Sequence, residues 1–140
     1  MNALAPITIS TTIAAPISTV WHAFNDPAAV QQWNQASPDW HCPRAECDFK
    51  EGGTFSYTMA AKDGSFQFDF AGTYTRIQPE EYVAFTLGDG RKVSVHFTKH
   101  NDGSVLVEET FDPEATNPIN MQQMGWQSIL DSFKKFVEAQ

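Results

Sequence analysis

The chain has 140 residues, one domain's length, and its 41% hydrophobic residues, with eleven Phe, supply enough apolar surface for a real core. A formal net charge of −8, with only nine Lys and Arg and no basic cluster, disfavours nucleic acid and anionic membrane as partners. No stretch approaches the ~20 apolar residues of a membrane span, and the opening MNALAPITIS lacks the regions of a secretory signal, which predicts a cytoplasmic protein.

Ile7, Ile9 and Ile13 alternate with polar residues and predict a first strand. Pro16, favoured in a helix's first turn, opens a helical pattern with Val20, Trp21 and Phe24 on one face. Asp26-Pro27 interrupts it, and a second short helix carries Val30 and Trp33. A polar and aromatic loop follows, NQASPDWHCP. From Arg44 to Phe111 the period becomes two, with reversals at Glu51-Gly52-Gly53, Asp63-Gly64, Pro79-Glu80, Gly88-Asp89-Gly90 and Asn101-Asp102-Gly103. Six short strands in an antiparallel meander are expected here. A long helix over about 119–139 completes the order.

Turn lengths set the expected registers. Met59 falls opposite Phe68, Tyr57 opposite Phe70, Phe55 opposite Gly72, and Tyr74 opposite Phe85, with Arg76 opposite Val83. Phe85 then pairs with Val93, Val83 with Val95, Phe97 with Val107, and Val95 with Glu109. This puts nearly all the large apolar residues on one face, as expected for an antiparallel sheet with one side buried. The last helix has a matching stripe of Ile119, Trp126, Ile129, Leu130, Phe133 and Val137, with Asp131, Lys135 and Glu138 opposite. It is the obvious cover for the apolar face. Gly125 lies on the shoulder of that stripe, roughly 80° from its centre by the 100° step. An interior Gly costs about 1 kcal/mol relative to Ala, so either a close neighbour or open space must account for it.

The stretch IAAPISTVWHAFNDPAAVQQW is similar to the start of START-like (SRPBCC) domains: a strand, a Pro, Val-Trp, an aromatic, Asp-Pro and a later Trp. MQQMGWQSILDSFKKFVEAQ resembles the Gly-Trp helix of the activator of heat-shock-protein-90 ATPase homologue family within that superfamily. GGTFSYTM, KDGSFQFDFAGTY and DGRKVSVHF also resemble members of it. The resemblance covers essentially all of residues 1–140 as a single domain and implies an α+β helix-grip fold. In that fold a curved antiparallel sheet wraps a long C-terminal helix, with two short helices after the first strand. It also implies a frequent cavity between helix and sheet that takes apolar ligands. Relatives in the superfamily include lipid carriers, polyketide cyclases, hormone receptors and co-chaperone domains, so the resemblance defines fold better than function.

The inner face carries the candidate chemistry. Phe55, Tyr57, Met59, Phe66, Phe68, Phe70, Tyr74, Phe85 and Phe97 form a dense aromatic lining, which serves equally as a packed core or as a pocket wall. Tyr57, Tyr74, Arg76, Arg91, Glu109 and Gln122 are the polar groups sent inward. Glu109 sits among Val105, Val107 and Phe111, where a carboxylate needs a partner such as Tyr or Gln, an outward bulge, or a raised pKa. It is a candidate for ligand binding and, more weakly, for proton transfer. Asp39 and His41 are two apart in the loop, so in an extended chain they project to one side, where they serve as loop anchors, entrance contacts with Trp33 and Trp40, or a base pair.

Other chemistry lacks support. His41, Cys42 and Cys47 match no standard zinc spacing, and no phosphate-binding glycine motif occurs, so no metal or cofactor is expected. A disulfide between Cys42 and Cys47 is disfavoured in a reducing compartment. Three functions stay open: a binding module for a small hydrophobic or amphipathic molecule, an enzyme of the polyketide cyclase or hydrolase type, and a partner of a heat-shock-protein-90 type chaperone. For the first, Tyr57, Tyr74, Glu109 and Gln122 would orient the ligand against Met59, Phe68, Phe70, Phe85, Phe97, Gly125 and Trp126.

Overall fold

Asp26 divides the two short helices. Its backbone N–H closes α1 (Ile17–Asn25) on the His22 carbonyl at 2.9 Å. Its carboxylate accepts from the Ala29 N–H at 3.1 Å and so caps α2 (Pro27–Trp33), with Pro27 in the first turn. This is a computed structural model that describes residues 4–140, so the first three residues of the stretch read for a signal lie outside the described residues.

Six strands follow as a meander: β2 (Trp40–Cys47), β3 (Thr54–Ala61), β4 (Gln67–Gln78), β5 (Tyr82–Leu87), β6 (Lys92–Lys99) and β7 (Val105–Phe111). β1 (Ile7–Ile13) pairs antiparallel with β7, giving the order β1-β7-β6-β5-β4-β3-β2. The architecture is the α+β helix grip: a curled seven-stranded antiparallel sheet around α3 (Ile119–Glu138). Alternation along β7 is complete, with Val105, Val107, Glu109 and Phe111 buried. That pattern is period-two burial against a single covered face.

Eight of the nine expected pairs are present, from Met59 with Phe68 to Val95 with Glu109. The exception is Arg76. A register shift between Tyr74 and Arg76 brings Ile77 opposite Val83, and Arg76 is exposed. The extra residue turns the apolar Ile77 towards the core and the guanidinium towards water, as a β-bulge does. The polar loop is also shorter than expected, because β2 begins at Trp40 and absorbs His41, Cys42 and Pro43. Pairing slips between His41 and Arg44, around Pro43, which has no N–H for the ladder and sits on an edge strand.

The core lies beneath the C-terminal half of α3. Phe133 is fully buried, with ring centroids 5.3 Å from Phe24 and 4.9 Å from Trp33. Burying a Phe or Leu of this kind stabilises by about 1.5–3 kcal/mol. Polar ties hold the same half in place. Ser132 Oγ donates to the Trp33 carbonyl at 2.7 Å, and Trp33 Nε1 donates to the Ala23 carbonyl at 2.8 Å. Lys134 Nζ donates to the Thr12 carbonyl at 2.6 Å, and the Ala14 N–H donates to Glu138 at 2.9 Å. Two expectations fail at the opposite end. Ile119, assigned to the helix stripe, is 42% exposed, and Phe66, assigned to the inner lining, is 59% exposed and outside the cavity wall, whereas the half-exposed Phe68 stands at its rim. Their positions have the inward parity, but the helix start and the β3–β4 end extend past the covered part of the sheet.

Candidate functional site

The helices α1 and α2 cover only one end of the concave face. Under the first and middle turns of α3, from Gln122 to Leu130, the concavity remains as a cavity of about 360 Å³ that is open to solvent. This lies within the ordinary range for a small-molecule site, about 300–1,000 Å³.

Its wall is largely aromatic. Phe55 centres the cluster, 5.0 Å from Tyr57, 5.3 Å from Tyr74 and 4.9 Å from Phe85, the last edge-on. Phe55 has room because its cross-strand neighbour is Gly72, where a Cβ would come within 2.6 Å of the Thr86 carbonyl oxygen and 3.0 Å of the Phe55 ring. Trp126 closes the helix side. It stacks on Phe111 at 3.9 Å and 6°, and meets Phe70 edge-on at 5.8 Å.

Polar groups are few and unevenly committed. Glu109 is 9% exposed and makes no side-chain hydrogen bond among the described residues; burial alone pushes its carboxyl up to about 8. The expected bond to a Tyr or Gln is absent, and β7 has no bulge to turn the side chain outward. Gln122, the expected partner, is used elsewhere. Its Oε1 accepts from the Glu114 N–H at 2.9 Å, while its Nε2 donates to the carbonyls of Glu114 at 3.0 Å and Asn117 at 2.8 Å. Gln122 therefore clasps the segment between β7 and α3, and Glu114, Asn117 and Gln122 all face the cavity. The Tyr74 hydroxyl is buried without a hydrogen-bond partner among the described residues, and burial raises both its pKa and that of Tyr57 well above the usual phenol range. Arg91 also reaches the cavity, with its Nε 2.8 Å from Asp89.

Of the residues singled out in the sequence, Trp33, Tyr57, Met59, Phe68, Phe70 and Tyr74 line the cavity. So do Phe85, Glu109, Gln122, Gly125 and Trp126. A Cβ at Gly125 would meet nothing within 4 Å, so open space, rather than a close neighbour, accounts for this glycine. Four expected lining residues are elsewhere, one of them the exposed Phe66. Phe97 packs under α1, 5.1 Å from Trp21 and 5.5 Å from Phe24. Trp40 lies outside the wall, 6.2 Å from both Phe66 and Phe68. His41 is on the edge strand β2 and is not part of the wall. Nor do Asp39 and His41 form a pair: the Asp39 carboxylate accepts from Ser37 Oγ at 2.8 Å, in the turn before the strand. Among the described residues no three His, Cys, Asp or Glu side chains gather to hold a metal ion.

Sequence reasoning missed Phe24, Asn25, Asn34, Glu114 and Asn117 as wall residues. Asn25 and Asn34 each stand at a helix end, and such a buried polar residue at the end of an apolar stripe was the available signal.

Known proteins give the same picture of the fold. Residues 14–138 match the model of the family described as Activator of Hsp90 ATPase homolog 1-like protein. The chain belongs to that family. An AHSA1-like protein from Aeromonas hydrophila, solved in solution, is 46% identical with a TM-score of 0.90 over 96% of this chain and 93% of its own. Chr148 from Cytophaga hutchinsonii is 50% identical with a TM-score of 0.82, covering 95% of this chain and 92% of its own. Protein NE0264 from Nitrosomonas europaea, at 14% identity, shares the fold with a TM-score of 0.81 over 99% and 97% of the two chains. No curated protein is similar enough to count as a match. The grip of sheet on helix thus recurs at 14% identity, so the fold alone does not define the cavity's chemistry, which has to be read from its own residues.

Proposed function

We propose that this chain, acting as one START-like domain, binds a small hydrophobic or amphipathic molecule between α3 and the sheet. The observation that carries this reading is the cavity itself: about 360 Å³, aromatic-walled, open to solvent, faced by the Glu109 carboxyl and lined by Tyr74 with its buried phenol, neither of which has a hydrogen-bond partner among the described residues. A packed core would close over such groups or satisfy them, since an unmade buried hydrogen bond costs about 1–3 kcal/mol. Burial of the ligand's apolar surface would supply most of the affinity, about 25 cal/mol per Å² before the costs of association. Native mass spectrometry with a lipid and polyketide panel, read beside melting temperatures, tests it. At least one bound mass with a raised melting temperature is expected; no shift in either across the panel would overturn the reading.

One observation favours a second reading, an enzyme of the cyclase or hydrolase type. A carboxyl held at about 8 inside a cavity can exchange a proton near neutral pH. Under that reading Glu109→Gln abolishes turnover and keeps binding; equal loss of both leaves the binding module. The family's description also names activation of the Hsp90 ATPase, and a cytoplasmic chaperone of that type is proposed as a protein partner. The chaperone's ATPase rate with and without added protein decides that role.

A further inference from the structure

We infer that the ligand of this cavity carries a basic nitrogen, held as an ammonium group against the Glu109 carboxylate in an aromatic-lined pocket. The inference rests on the proposed reading of the cavity as a small-molecule site, and goes further by naming the chemical class.

The charge inventory of the wall leads to it. Glu109 is more than nine-tenths buried, faces the cavity and has no hydrogen-bond partner among the described residues. Every other ionisable side chain on the wall is neutral or already engaged. The phenols of Tyr57 on β3 and Tyr74 on β4 stay protonated, since burial raises both. Arg91, before β6, is paired with Asp89 at 2.8 Å. Glu114, before α3, accepts from the backbone N–H and the side-chain amide of Asn117. α1, α2 and α3 add only uncharged side chains, and β1 adds none. Among the described residues, the ionisable group on the wall left without a hydrogen-bond or ion-pair partner is therefore an acid, set in a chain of net charge −8.

That inventory discriminates among head groups. A fatty acid or a phosphate would bring a further negative charge beside Glu109 and Glu114, against one wall cation, Arg91, that is already bridged to Asp89, an unfavourable juxtaposition in a low-dielectric pocket. A neutral carbonyl could take one hydrogen bond from the protonated acid and nothing from the rings. An ammonium group suits both parts of the wall. It pairs with the carboxylate through a charge-assisted hydrogen bond, and the aromatic rings that line the cavity, Phe55, Phe70, Phe85 and Trp126 among them, are the side chains that attract a cation when it lies over an open ring face.

Proton balance gives a signature. At neutral pH the empty cavity holds Glu109 mostly as the neutral acid, because burial raises its pKa to about 8. An amine enters as its ammonium ion, the Glu109 proton leaves to solvent, and close to one proton is released per ligand bound. An alcohol or carbonyl ligand leaves that proton in place.

Isothermal titration calorimetry at pH 7, in two buffers of different ionisation enthalpy, tests this with 4-phenylbutylamine, 4-phenylbutan-1-ol and 4-phenylbutanoate. The amine is expected to bind at least about tenfold more tightly than the alcohol, the carboxylate to bind more weakly than either, and the amine alone to release a proton. In Glu109→Gln the amine's preference disappears while the alcohol still binds. Equal affinity for amine and alcohol, or an amine preference that survives Glu109→Gln, overturns the inference while the small-molecule reading stands. Should Glu109→Gln fail to fold, proton release by the unmodified protein decides alone, and amine binding without it overturns the inference. Failure of all three probes together with the lipid and polyketide panel overturns the reading of the cavity and this inference with it.

Discussion

Replacing Glu109 by Gln should stabilise the protein, and do so more strongly as pH rises. The folded state holds this carboxyl at about 8, against an ordinary value of 4.5. An acid whose folded pKa is raised binds its proton more tightly in the folded state, so stability falls as pH rises through the interval between the two values. Below about 4.5 the group imposes no ionisation penalty. Above about 8 the penalty is complete, and at about 1.4 kcal/mol per pH step it reaches about 5 kcal/mol as an upper bound. Between pH 5.5 and 8.5 it grows by roughly 3 kcal/mol, or roughly 10 °C in melting temperature for a domain of this size. Glutamine keeps the shape and removes the titration. Melting curves of both proteins across that range, without ligand, should therefore diverge by up to about 10 °C, with the variant the more stable at high pH. The carboxylates of Asp63, Asp89, Asp102 and Glu138 are held below their usual range by local hydrogen bonds, so their stabilisation is lost only as pH falls, outside this window. Curves that stay parallel within about 2 °C would refute the placement of an unpartnered acid in the cavity.

Gly125→Leu should raise stability by up to about 1 kcal/mol, because nothing stands within 4 Å of its Cβ and the helix gains propensity. The same substitution should block ligand uptake, seen as a lost mass shift beside an unchanged or raised melting temperature. Gln122→Ala should cost about 2 kcal/mol in urea unfolding, since three hydrogen bonds to the segment after β7 are lost. It should also speed hydrogen exchange at the Glu114 amide. Gly72→Ala should destabilise by about 1–3 kcal/mol, because the new methyl group overlaps the Thr86 carbonyl oxygen; an unchanged urea midpoint would contradict the close approach of β4 and β5.

The sheet was legible because period-two burial and turn residues constrain each other: a one-residue slip anywhere in β5 to β7 would have sent Val83, Val95 and Phe97 into water. The bulge at Tyr74–Arg76 was not legible, since an added residue in one strand leaves composition and turns unchanged. Glu109's inward position could be read from its neighbours; its lack of a partner could not. Gln122 had the right chemistry to bond it, but its amide is used by a nearby non-periodic segment that leaves no pattern in the sequence. Asp39 and His41 show the converse error, in which closeness along the chain suggested a pair that a turn and an edge strand separate. For Gly125, a crowded neighbour and an empty space leave the same residue in the sequence, and only coordinates distinguish them.

The two halves of α3 have different neighbours. Ser132 and Lys134 tether the second half, and Phe133 is fully buried there, whereas Gln122, Gly125 and Trp126 border the cavity. Substitutions at well-separated sites combine nearly additively. Positions of the helix that border only open space, Gly125 first among them, can therefore change and reshape the cavity, while Ser132, Phe133 and Lys134 keep the helix seated. A single helix thus offers positions free to vary beside positions that are fixed, and the shape of the cavity can change in this chain without passing through an unfolded intermediate sequence.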